Sequence, residues 1–219
     1  MRRVLVLALL AMALPIAAWA DSIVTATNQN GTVAVTGMSG TKGLGTIGVS
    51  TITLKGAELT QWGTTTGHLG NVKFQTGALT SGSMTGGGAF AGGGYFDITG
   101  VGTWASQLTG VKKCGSGCAL FTGSFTGPIT WTLVSSTKNE EFLSLTGAIS
   151  GMYYTGVTIT GNTTQNISFL NKAQLNAGVG HATLGTTNFK TVPEPGTLGL
   201  LGTGLVGIAE MFRRKLMGT

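Results

Sequence analysis

The chain is poor in charge. Asp, Glu, Lys and Arg make up 9% of its 219 residues, and it has only two histidines, two cysteines and four prolines. Each shortage excludes a class of chemistry. His68 and His181 stand singly beside glycines, with no second ligand at metal spacing, so a histidine or cysteine metal centre has too few donors. A glycosidase needs two carboxylates facing each other across a cleft. The acids between the two ends are Asp21, Glu58, Asp97, Glu140 and Glu141, and no spacing marks Glu58 with Asp97 or Glu141 as such a pair. Arginine occurs at Arg2, Arg3, Arg213 and Arg214 and nowhere between. Every arginine therefore belongs to the ends, the lysines and acids between them are mostly scattered singly, and nucleic acid is not an expected partner. A Gly-x-Ser-x-Gly elbow, a phosphate loop and a calcium loop are all missing. Glycine clusters at 86–88 and 92–94 lack the lysine and the following helix of a nucleotide site. Neither catalysis nor a cofactor is expected.

What the chain does have is glycine, 38 residues of it, set among threonines and an apolar fraction of 42%. Disorder requires few apolar residues and high net charge, and this composition has neither. Threonine and apolar residues alternate in Thr51-Ile52-Thr53, Thr130-Trp131-Thr132 and Thr158-Ile159-Thr160, the period of a half-buried strand. Val72-Lys73-Phe74 and Tyr95-Phe96-Asp97-Ile98 alternate too. An opening hairpin is expected from Ile23–Thr27 and Thr32–Val35 around Asn30-Gly31. A strand from Thr46 to Leu54 changes face near Ser50-Thr51, as a bulge would. No segment keeps a helical period over three turns, and the best short candidate is Leu170–Ala177. The fold expected is all-β, a Gly/Thr-rich sandwich of jelly-roll type or a barrel.

Three segments share one form: hydroxyl, glycine, small, large apolar, hydroxyl, glycine. They are Ser81–Gly86, Thr122–Gly127 and Thr146–Gly151, with Met84, Phe125 and Ile149 as inward anchors. Unequal spacing rules out a regular solenoid, and the form is either a strand device or composition repeating itself. Trp62, Trp104, Trp131, Tyr153 and Tyr154 either fill a core of small residues or form stacking platforms for a sugar. Threonine rows are either ordinary exposed strand faces or flat hydroxyl arrays suited to ice or polysaccharide. Cys114 and Cys118 flank Gly115-Ser116-Gly117, and in an exported chain they are expected to form a disulfide that fixes a loop.

Export is read from the first residues. Arg2 and Arg3 precede an apolar run from Val4 to Ala13, and Ala18-Trp19-Ala20 supplies small residues for cleavage before Asp21. At the other end, 196–212 is apolar apart from Thr197, Thr203 and Glu210, and Arg213, Arg214 and Lys215 follow. As a helix this run reaches roughly 25 Å, close to the thickness of a hydrocarbon core. The basic cluster is expected to stay cytoplasmic as a stop, which leaves the preceding residues on the outer side. The organisation expected is a signal peptide at 1–20, an extracytoplasmic β domain at 21–190 and a tail at 191–219.

The tail resembles the PEP-CTERM sorting signal of Gram-negative bacteria, a segment also catalogued as the ice-binding protein C-terminal domain. Pro193-Glu194-Pro195, the Leu198–Gly202 run, Gly204-Leu205 and the closing Arg213-Arg214-Lys215 carry the resemblance, with Glu210 a departure from it. What the resemblance implies is recognition by an exosortase near the tripeptide and delivery to the cell surface or extracellular matrix. The expected partners are the secretion machinery, an exosortase, the membrane through 196–212 and an exopolysaccharide. The expected role is structural or adhesive, with carbohydrate or ice binding as the alternative.

Overall fold

A computed structural model describes residues 23–37, 45–137, 140–169, 174 and 177–191. The expected signal peptide with Ala18 and Ala20, the Pro193-Glu194-Pro195 motif, the apolar run 196–212 and the Arg213, Arg214, Lys215 cluster lie outside these residues. So does most of the 170–177 helix candidate, of which Gln174 and Ala177 are described and helical.

Among the described residues, twelve strands and one fully described helix follow in order: β1 Ile23–Gln29, β2 Gly31–Thr36, β3 Thr51–Trp62, β4 Thr65–Gln75, β5 Leu79–Ser83, β6 Gly87–Phe90 and β7 Gly93–Gly100. Helix α1, Gly102–Thr109, comes next. Then come β8 Cys118–Phe125, β9 Ile129–Ser136, β10 Glu141–Tyr153, β11 Thr158–Phe169 and β12 Val179–Thr191. Hydrogen bonding runs β2–β3–β4–β7–β8–β10–β11–β12 and returns from β12 to β2, which closes a barrel of eight strands. The expected all-β class is therefore met by a barrel and not by a jelly-roll sandwich.

The remaining strands extend the staves. Asn28 faces Gly185 and Gly31 faces Ala182 on the same partner β12, so β1 and β2 are one stave interrupted at Asn30. This overturns the expected hairpin at Asn30-Gly31. Turn chemistry suggested a reversal, but both halves run in one direction between β12 and β3. Asn30 adopts φ 59, the one positive φ of a non-glycine among the described residues. Its effect is a change of face: Ala26 and Asn28 point inward, and beyond it Gly31, Val33 and Val35 do. β12 shows the matching change, from Gly180 and Ala182 to Gly185, Thr187 and Phe189. In the same way β4 continues into β5, β6 into β7, and β8 into β9. Phe125 of β8 and Thr130 of β9 lie in line along β10, opposite Ile149 and Thr146. The staves run up and down in sequence order, each beside its neighbour. The expected strand at Thr46–Leu54 is corrected too. It begins at Thr51 and runs on to Trp62, and Ile47 to Val49 form an exposed turn.

Alternation places one face inside. On β9, Ile129 and Trp131 are buried while Thr130 and Thr132 are exposed. On β10, Leu143, Leu145 and Ile149 point in and Thr146 and Ala148 point out. Aromatic rings fill much of the interior. Phe74 and Phe96 stack with centroids 5.8 Å apart, and the edge of Phe125 meets both. Phe96 contacts Phe121, which contacts Phe189 at 4.8 Å. Met84, Phe125 and Ile149, the anchors of the three similar segments, are all buried, and Phe125 lies directly opposite Ile149.

A different chemistry closes the ring. The Asn28 amide donates to Gln165 Oε1 at 3.0 Å, and Gln165 Nε2 donates back to Asn28 Oδ1 at 3.2 Å and to Thr163 Oγ1 at 2.9 Å. Thr163 also shares a hydrogen bond with Thr187 Oγ1 at 2.9 Å. All four side chains are buried. The amides span β1 and β11 across β12, at Gly185. A Cβ there would meet Gln165 Oε1 at 2.0 Å and Asn28 Oδ1 at 2.4 Å, so only glycine leaves room for the pair.

The outer wall carries rows of threonine, with Val134, Met152, Val179 and Leu184 exposed singly among them. Thr130, Thr146 and Thr164 lie side by side on β9, β10 and β11, and Thr36 and Thr51 share a hydrogen bond of 2.7 Å across β2 and β3. A transmembrane barrel carries an apolar band on that face, the opposite of this pattern. Among the described residues, no helix is long and apolar enough to cross a membrane.

Candidate functional site: the tail end of the barrel

The chain enters and leaves the barrel at one end. Ile23 at the start of β1 pairs with Lys190, and Thr191 is the last residue of β12. The same end holds the last residues of β3, β7 and β10 and the first of β4, β8 and β11, because neighbouring staves are antiparallel.

Three devices close this end. The first is aromatic: Trp62 stacks on Tyr153 at 5.9 Å and leans on Phe189 at 5.7 Å. Burial, helped by the neighbouring Tyr154, pushes the Tyr153 phenol above the usual tyrosine range. The second is α1. Its start is anchored on β4, where the Val101 N–H and the Trp104 indole N–H both donate to Leu69 O, at 2.8 and 3.0 Å. Gly100 allows this contact, since a Cβ there would lie 2.9 Å from Ala105 Cβ. Gly110 ends the helix in the left-handed conformation, the usual stop. The third device is the Cys114–Cys118 disulfide. The Cys114 N–H donates to Ser106 Oγ at 3.1 Å, and Cys114 O accepts from the Gly102 N–H at 3.2 Å. The loop is thus tied through Cys114 to Gly102 and Ser106 of α1. Its outer residues Val111, Lys112 and Lys113 are exposed.

The candidate chemical residues are placed apart. Glu58 is on the outer wall, with a carboxylate oxygen 2.5 Å from Nδ1 of the highly exposed His68. Asp97 sits three staves from the closing seam, 3.5 Å from Lys73 Nζ. Glu141 begins β10 at the opposite end and points inward. Glu140, beside it, accepts a 2.6 Å hydrogen bond from Ser168 Oγ. These acids share no cleft. His181 is exposed on β12 opposite Thr32. No group of three or more His, Cys, Asp or Glu among the described residues is arranged to hold a metal.

Trp62 and Trp131 lie in the core, whereas Tyr153 and Tyr154 are half-buried and line a shallow pocket. Trp131 is 1% exposed and donates its indole N–H to Met84 O at 2.8 Å, while Trp62 is 5% exposed. Trp104 is half-buried against α1's anchor. The expected threonines do lie outside at Thr130, Thr132, Thr158 and Thr160, but Thr53 is buried. Sequence reasoning missed α1, which has only two turns, and the amide pair, whose members are 137 residues apart.

Residues 191–215 match the PEP-CTERM protein-sorting motif, beginning at the residue where the barrel ends. The motif implies an exported, membrane-associated surface protein that meets the secretion machinery and an exosortase. No curated protein and no solved structure matches the chain.

Proposed function

We propose that the chain is a surface or matrix component whose barrel is cargo and whose tail is its address. The signal at 1–20 directs export, 196–212 holds the chain in the inner membrane with the barrel on the periplasmic side, and an exosortase acts at Pro193-Glu194-Pro195. One observation carries this reading: the sorting motif starts at Thr191, the last residue of β12, so every stave lies ahead of Pro193-Glu194-Pro195. Processing within the motif would release a closed barrel with every stave intact.

The barrel itself serves a structural or adhesive role without catalysis. Glu58 is engaged by His68 and Asp97 by Lys73, on β3 and β7 with β4 between them. Hydroxyl rows such as Thr130, Thr146 and Thr164 offer donors and acceptors to an exopolysaccharide. Binding of carbohydrate or ice by that threonine face is the second reading, and a glycan array probed with the full chain tests it. The main test is cell fractionation of the wild type against Glu194→Ala. Retention of the variant in the membrane with release of the wild type is expected. Equal release of both would contradict processing at the tripeptide.

A further inference from the structure

We propose that the tail end of the barrel rests on an anionic bilayer surface through Lys112, Lys113 and Lys190. The inference depends on the reading above that 196–212 is seated in lipid, and it adds a second contact to that anchor.

Chain length makes the contact hard to avoid. Five residue steps separate Thr191, the end of β12, from Gly196, where the apolar run starts. Even fully extended, they span at most about 18 Å. The headgroup layer on each face of a bilayer is itself roughly 5–8 Å deep. The rim of the barrel is therefore held within a short distance of the phosphates, and this rim is the one that carries α1 and the disulfide loop.

Charge is distributed to suit. Among the described residues, exposed Lys112 and Lys113 project from the disulfide loop and exposed Lys190 from the end of β12, all at the tail end. Glu140 and Glu141 stand at the far end, before and at the start of β10. Near the tail end, the carboxylate of Glu58 is engaged by His68. Val111, exposed beside the two lysines, adds an apolar tip that suits the interface. The disulfide and the Ser106 hydrogen bond keep Lys112 and Lys113 on the rim, so docking them costs little loop entropy. Lysines near an anionic leaflet are attracted within about a Debye length, and salt weakens the attraction. The barrel would then stand end-on, with its far loops turned away from the membrane.

The test uses the full chain in vesicles of phosphatidylcholine alone or mixed with phosphatidylglycerol. A membrane-impermeant amine-acylating reagent is applied and each lysine is read by peptide mass spectrometry. Lys55, exposed on the outer wall, is the internal control. Lys112 and Lys113 should lose labelling by about threefold or more with phosphatidylglycerol and regain it at high salt, with Lys55 unchanged. Labelling of Lys112 and Lys113 that follows Lys55 in every lipid would overturn the inference. Protection that is equal without phosphatidylglycerol would also overturn it, since it would point to a contact other than anionic headgroups. Alkaline extraction of the same vesicles separates the two readings. A chain that is extracted contradicts the tail anchor, whereas a retained chain with fully labelled lysines contradicts only the docking.

Discussion

The two sides of the barrel interior are built from different materials. Where β4, β7 and β8 follow one another, Phe74, Phe96, Phe121 and Phe125 pack ring against ring. Where β12 returns to β1, buried Asn28, Thr163, Gln165 and Thr187 are set among apolar neighbours such as Ile167 and Phe189. Sequential staves are brought together by short connections, so non-directional burial suffices to hold them. The seam must join segments far apart in the chain, at a greater entropic cost, and in one register. Burial alone does not distinguish one register from its neighbour two residues away. A reciprocal amide pair threaded past Gly185 does, because a slip would leave buried amides without partners. Apolar packing supplies most of the stability, and the polar seam supplies specificity.

The largest effect should come from the aromatic side. Phe96→Ala removes a ring that touches three others, and a loss of about 3–5 kcal/mol is expected in urea unfolding. A loss below about 1 kcal/mol would show that the rings do not form one packed unit.

Next is the seam. Gln165→Leu strands the Asn28 amide in the interior and should cost about 2–3 kcal/mol. The double variant Asn28→Leu, Gln165→Leu removes both partners, and its loss should be smaller than the sum of the singles by about 1–3 kcal/mol. Strict additivity would mean that the amides do not act together. If the seam governs register, the double variant should also show faster amide hydrogen exchange in β1 and β12 than in β4 and β7.

A smaller effect belongs to the aromatic plug. Tyr153 stays neutral in the folded chain to a higher pH than in the unfolded chain. Above about pH 10 the unfolded state therefore holds fewer protons, and stability falls as pH rises further. Tyr153→Phe lacks that component. Its unfolding midpoint should fall less steeply than the wild type's between about pH 9 and pH 11.5. Parallel curves would place the phenol in water. Smallest of all is Lys73→Ala. It removes a pair on the wall whose lysine is half exposed, and less than about 1 kcal/mol is expected from thermal unfolding.

What could be read from the chain follows the same division. Local patterns were legible. Thr130-Trp131-Thr132 alternates because Trp131 faces the core and its neighbours face water. The tail motif is linear and needs no fold to be recognised. Features set by distant partners were not legible. Asn30-Gly31 has the composition of a hairpin turn, yet β12 on one side and β3 on the other hold the chain straight through it. Nothing near Asn28 announces Gln165. Helix α1 is too short to show a period, and it is held by Leu69 O and the disulfide loop. The candidate site was therefore half visible: its address lay in the sequence, while the rim beside it came from the topology.

The most direct measurement is the intact mass of the protein recovered from the cell surface or medium. A chain that starts at Asp21, ends within or beside Pro193-Glu194-Pro195 and keeps the Cys114–Cys118 bond oxidised is the result this account requires. A full-length chain with both ends present and both thiols reduced would contradict it.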